Sequence, residues 1–98
     1  MADFTIIIAD GERGWNSSDN IKMELTYEDV FTISCFITYS LRNSFNHAHA
    51  TKLDSRNGSC VFTIEIMEDI TELDFASLRV EVLSLLESTL IALGVCYN

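Results

Sequence analysis

Two histidines and a run of carboxylates are the residues whose types and spacing could do chemistry in this chain. His47 and His49 stand one residue apart, so in an extended segment both rings would point to the same side. Asp54 or Cys60 could then be a third metal ligand. No recognised spacing supplies that ligand, so the pair is expected to be exposed loop histidines, with no metal and no cofactor. Glu65, Glu68, Asp69, Glu72 and Asp74 crowd into ten residues without a Lys or Arg among them. Such a run suits a docking surface for a basic protein, a phosphate-like array, or a solvated lead-in to a helix. The alternating carboxylates of a calcium loop are missing.

Other reactive types lack a setting. Cys35, Cys60 and Cys96 are odd in number, widely spaced and form no CxxC, which suits three reduced thiols. The segment ADGERG has neither phosphate-loop pattern, and no serine sits in GxSxG. Enzymatic activity is therefore not expected. Trp15, in the polar stretch GERGWNSSDN, is either tucked over the edge of the core or a contact anchor.

Charge limits the partners. Fifteen acids against six bases leave a formal charge of −9 in 98 residues. Nucleic acid and anionic membranes bind through Lys and Arg, so direct contact with either is not expected. The imbalance is polarised: residues 59 to 98 hold seven acids and one base, Arg79, while residues 27 to 58 hold three of each. No stretch has the length of an apolar span, because Glu81 and Glu87 interrupt the longest candidate. The start MADFTIII carries an acid where an export signal would be basic, so the chain reads as unexported and cytoplasmic.

The elements that must position these residues are mostly strands followed by one long helix. Residues 71 to 94 place Phe75, Leu78, Val82, Leu83, Leu85, Leu86, Leu90 and Leu93 on one arc and Ser77, Glu81, Ser84, Glu87 and Ser88 opposite, with Val80 and Ile91 intruding on the polar side. Thr71 and Asp74 are both candidate N-caps, and Gly94 suits the left-handed residue after a helix. Phe4 to Ala9, Ile21 to Thr26 and Ser59 to Met67 read as strands, the first two pairing antiparallel across a loop at 10 to 20. Residues 27 to 45 predict a strand, with Phe31, Ile33, Cys35, Ile37 and Tyr39 on one side and Thr32, Ser34, Phe36, Thr38 and Ser40 on the other; a buried helix is the alternative. Residues 42 to 58 show no clear pattern before the turn at Asn57-Gly58.

Together these predict one compact α+β domain over residues 1 to 98. It has two layers: a mainly antiparallel sheet of about four strands, and one long C-terminal helix on one face. The alternative order is ββαβα with residues 27 to 45 helical. In the first arrangement a mixed outer face of Thr5, Ile7, Thr32, Ser34, Phe36, Thr38, Thr63 and Glu65 stays partly uncovered. The physical profile is shared by bacterial immunity proteins, antitoxins and phage-encoded inhibitors, an analogy of class without a shared motif. The expected function is a small acidic protein-binding module that occludes a basic, nucleic-acid-handling partner, with nucleic-acid mimicry as a variant. Glu65, Glu68, Asp69, Glu72, Asp74, Glu81 and Glu87 would form an acidic ridge, with Trp15, Phe36 or Tyr97 as apolar anchors. The alternative is a homo-oligomeric subunit, a homodimer in the simplest case, pairing through the Thr-rich face.

Overall fold

A computed structural model describes residues 1–95, in the order β1 (Ala2–Asp10), β2 (Trp15–Leu25), α1 (Tyr27–Ser44), β3 (His49–Arg56), β4 (Ser59–Ile66) and α2 (Glu72–Ala92). The four strands form one sheet in the order β2-β1-β4-β3. The outer pairs, β1/β2 and β3/β4, are antiparallel, and the central pair β1/β4 is parallel. The α+β class, the two layers and the long C-terminal helix are as the sequence predicts.

Register puts one set of side chains on the covered face. Phe4, Ile6 and Ile8 of β1 sit beside Cys60, Phe62 and Ile64 of β4, and all six are buried. Leu25 of β2 is buried with them, while Ile21, Met23 and Leu53 pack at the margins. Both helices lie on this face. The four leucines and valines at helical spacing in α2, Leu78, Val82, Leu86 and Leu90, are buried, whereas Leu93, Val80 and Ile91 are exposed. Thr71 caps α2 by accepting from the Asp74 backbone N–H at 3.0 Å, and the Asp74 carboxylate reaches back to the Thr71 N–H at 3.4 Å. Gly94 has φ +71°, the left-handed conformation expected after the helix.

Tyr27–Ser44 is a helix, not the strand expected over 27 to 45, and Phe45 is its extended C-cap. Val30, Ile33, Ser34, Ile37 and Leu41 recur at helical spacing and are buried. Thr26 accepts from the Asp29 N–H at 3.1 Å, and Glu28, Asp29 and Arg42 lie at the dipole ends that favour their charge. The alternation was misleading because Phe31 and Tyr39, 62% and 69% exposed, face solvent. A period count scores such aromatics as core. Ser34 is buried without penalty because its hydroxyl donates to the Val30 carbonyl at 2.8 Å.

Three further boundaries change. The loop expected at 10 to 20 contracts to the turn at residues 11 to 14, and β2 begins at Trp15. The patternless stretch from 42 to 58 contains β3, an edge strand whose residues from Asp54 to Arg56 are all exposed. The connection to β4 turns at Asn57 and Gly58, φ +48° and +83°, both in the region a tight hairpin needs. Finally, Thr32, Ser34, Phe36 and Thr38 belong to α1, so the uncovered sheet face carries Thr5, Ile7 and Thr63 and is less Thr-rich than expected.

Candidate functional site

The topology sends the end of β1, the end of β4 and the start of α2 to one end of the molecule. Asp10 arrives there as the last residue of β1, Glu12 from the β1–β2 turn, Glu65 from the uncovered face of β4, Glu68 and Asp69 from the connection after β4, and Glu72 and Asp74 from the first turn of α2. Arg13, from the same turn as Glu12, is a base that reaches this end.

Two side chains knit this end together. Arg13 Nη1 donates to Asp10 Oδ2 at 3.2 Å, its backbone N–H donates to Asp10 Oδ1 at 3.2 Å, and its other guanidinium nitrogen donates to Asp69. The hydrogen bond to Asp69 is the main reason the Arg13 guanidinium is held more firmly protonated than usual; desolvation opposes it and Asp10 adds to it. Asp10 is 2% exposed, and its carboxylate finds its partners in Arg13 alone among the described residues. The second tie is His47, whose Nδ1 lies 3.0 Å from Glu68 Oε1 and whose Nε2 lies 3.8 Å from Asp74 Oδ2. Arg13 is a member the sequence reading missed, because it stands 56 positions from Asp69 and only the β1–β4 pairing makes them neighbours.

The expected site residues divide. Glu68, Asp69, Glu72 and Asp74 are gathered at the acidic end, whereas Glu65, near the end of β4, projects from the uncovered face of the sheet. Glu81, further along α2, accepts from the Ser44 hydroxyl at 2.6 Å and so bridges the two helices. Glu87 is separate, on the rim of an open groove of about 330 Å³ between β2 and α2, with Met23, Leu83, Leu86 and Leu90. Trp15 is half-buried against Phe75, ring centroids 5.8 Å apart, with the Arg13 guanidinium 5.7 Å from its ring centre. It thus closes the edge of the core directly under the acidic end. Phe36 is 41% exposed at mid-α1, away from the carboxylates. Tyr97 and Cys96 lie outside the described residues.

The histidines do not assemble a metal centre with the candidates named for it. Cys60 contacts Ser55 at 3.3 Å near the opposite end of the β3/β4 pair, and the His49 Nδ1 lies 3.1 Å from the His47 carbonyl. Glu68 and Asp74 flank opposite nitrogens of the His47 ring, which holds them apart. Among the described residues no three His, Cys, Asp or Glu side chains converge as metal ligands. Cys35 and Cys60 are free thiols, exposed and buried respectively. No helix among the described residues is long and apolar enough to cross a membrane.

Comparison with protein-family models, curated proteins and solved structures finds no match.

Proposed function

We propose that the chain is a small cytoplasmic binding module that inhibits or neutralises a basic, nucleic-acid-handling protein by occluding it. The observation that carries this reading is the gathering of Glu68, Asp69, Glu72 and Asp74 at one end, where Arg13 donates to Asp69 and His47 lies between Glu68 and Asp74. A fixed acidic surface steers a basic partner into contact and fixes its orientation, with association rates that fall as salt screens the charges. Trp15, seated under the array, supplies an apolar shoulder for the contact. We favour occlusion over close mimicry of nucleic acid, because a guanidinium and an imidazole interrupt the carboxylates where phosphates would follow one another.

The test combines capture and charge reversal. The chain and its Glu68→Lys/Asp69→Lys/Glu72→Lys variant are used as bait in an extract of the native host, with Trp15 fluorescence confirming an intact fold. A basic protein should be retained by the unmodified chain, and the variant should associate with it at least about tenfold more slowly, with a flattened salt dependence. Equal association by the variant refutes the electrostatic mechanism.

A further inference from the structure

We propose that the outward face of α1 is a self-docking surface, through which two copies of the chain pair antiparallel about a twofold axis passing at Cys35. This goes beyond the proposed binding of a basic partner and does not depend on it.

The first observation is a charge gap. From Val30 to Leu41 the chain has no charged residue, in a protein with a formal charge of −9. That segment is the middle of α1, and its solvent side carries Phe31, Thr32, Cys35 and Tyr39, all exposed. The two aromatics do not serve the core of their own chain, whose buried stripe is Val30, Ile33, Ser34, Ile37 and Leu41. Large exposed aromatics on a helix face with no charge between them are the composition of an interface centre, with Lys52 of β3 at its margin beside Phe31 and Cys35.

The second observation is the order of residues along that face. Glu28, Phe31, Cys35, Tyr39 and Arg42 fall within about 80° of one another at about 100° per residue, on the side of α1 away from the core. Their spacings read three, four, four, three, so the stripe is symmetric about Cys35. Twofold contacts require residue i to meet residue j while j meets i. An antiparallel pairing centred on Cys35 sets Phe31 opposite the partner's Tyr39 and Glu28 opposite the partner's Arg42, and each contact occurs twice. Glu28 and Arg42 make no ion pair within the chain among the described residues, so both are available. A parallel pairing would instead set Glu28 against Glu28 and Arg42 against Arg42. The charges therefore select one orientation as well as one partner.

The acidic end lies at the C-terminal end of α1, where the connection to β3 carries His47 to Glu68 and Asp74. An antiparallel arrangement sends the two acidic ends to opposite poles, where mutual repulsion is smallest. An 18-residue helix is about 27 Å long, so its face alone covers less than the ~800 Å² per partner of a standard stable interface. The dimer is consequently a reversible, concentration-dependent one.

Sedimentation over a range of protein concentrations, together with thiol cross-linking, tests this. In a Cys96→Ser background Cys35 is the accessible thiol of the described pair, since Cys60 is buried. The chain should sediment as a monomer–dimer equilibrium, and a short bis-maleimide should link Cys35 to the partner's Cys35. Phe31→Ser/Tyr39→Ser should weaken the dimer at least about tenfold. Glu28→Arg and Arg42→Glu should each weaken it about threefold to tenfold, and the double reversal should restore it. All four positions are exposed, and an unchanged far-UV spectrum confirms that the variants fold. A chain that stays monomeric at every concentration overturns the proposal. So does a dimer indifferent to these substitutions, one whose Cys35 thiols fail to cross-link, or a double reversal that does not recover pairing.

Discussion

Truncating Ile37 and Tyr39 separately to alanine distinguishes a helical from an extended α1 segment by energy alone. In an extended segment the two side chains share a face and should cost similar amounts to remove. In the helix Ile37 is fully buried and Tyr39 is 69% exposed. Removing a fully buried isoleucine to alanine forfeits its transfer energy and leaves a cavity beside Ile33 and Leu41, together about 2–5 kcal/mol. Removing Tyr39 takes little surface out of contact, and alanine is a good helix former, so the change should stay within about 0.5 kcal/mol. Phe31→Ala, on the same exposed side, should behave like Tyr39→Ala. The assay is equilibrium urea unfolding in dilute solution, where self-association does not contribute. With a slope of about 1–2 kcal/mol per M for a chain of this size, a 3 kcal/mol loss lowers the midpoint by about 1.5–3 M. The exposed variants should move it by less than about 0.5 M. Comparable losses at Ile37, Phe31 and Tyr39 would refute the helical assignment and, with it, the stripe on which self-docking rests.

Two further outcomes follow from the ends and the charges. Thr71→Ala removes the acceptor for the Asp74 N–H and should cost about 1 kcal/mol, a fall in melting temperature of about 4–8 °C; Thr71→Ser should recover most of it, and equal loss in both variants would show that the hydroxyl does not matter. The Asp19 carboxyl is held below its ordinary 3.8, chiefly by hydrogen bonds from Arg79 Nε at 3.0 Å and Nη2 at 2.6 Å, against desolvation. Unfolded, it takes up its proton at higher pH than when folded, so its contribution is present above its ordinary value and is lost as pH falls through the lower folded value. Asp19→Asn should therefore be less stable than the parent near neutrality, the gap closing in acid; an identical gap in urea midpoints at both extremes would exclude this linkage.

Local pattern alone was enough for several parts of this fold. The leucine and valine spacing and Gly94 specify α2 and narrow its cap to Thr71 or Asp74, because capping and amphipathic period are properties of neighbouring residues. The alternation in β1 and β4 fixed which of their side chains face the core, since a strand has only two sides. The crowding of Glu65 to Asp74 and the overall acidity were likewise plain in the order of residues. Phe31 and Tyr39 misled, because a period count cannot distinguish an aromatic buried in its own core from one left on the outside. Likewise β3 was illegible, because an edge strand whose last residues face water carries little apolar alternation.

Tertiary structure alone decided which distant charges became neighbours. The parallel pairing of β1 with β4 brings Arg13 to Asp69, and the α1–β3 connection carries His47 between Glu68 and Asp74. It also decided that the outer arc of α1 has no cover among the described residues. The physical reason is that caps and periodicity act over a turn or a strand, whereas a salt bridge or an exposed face depends on where every other element packs.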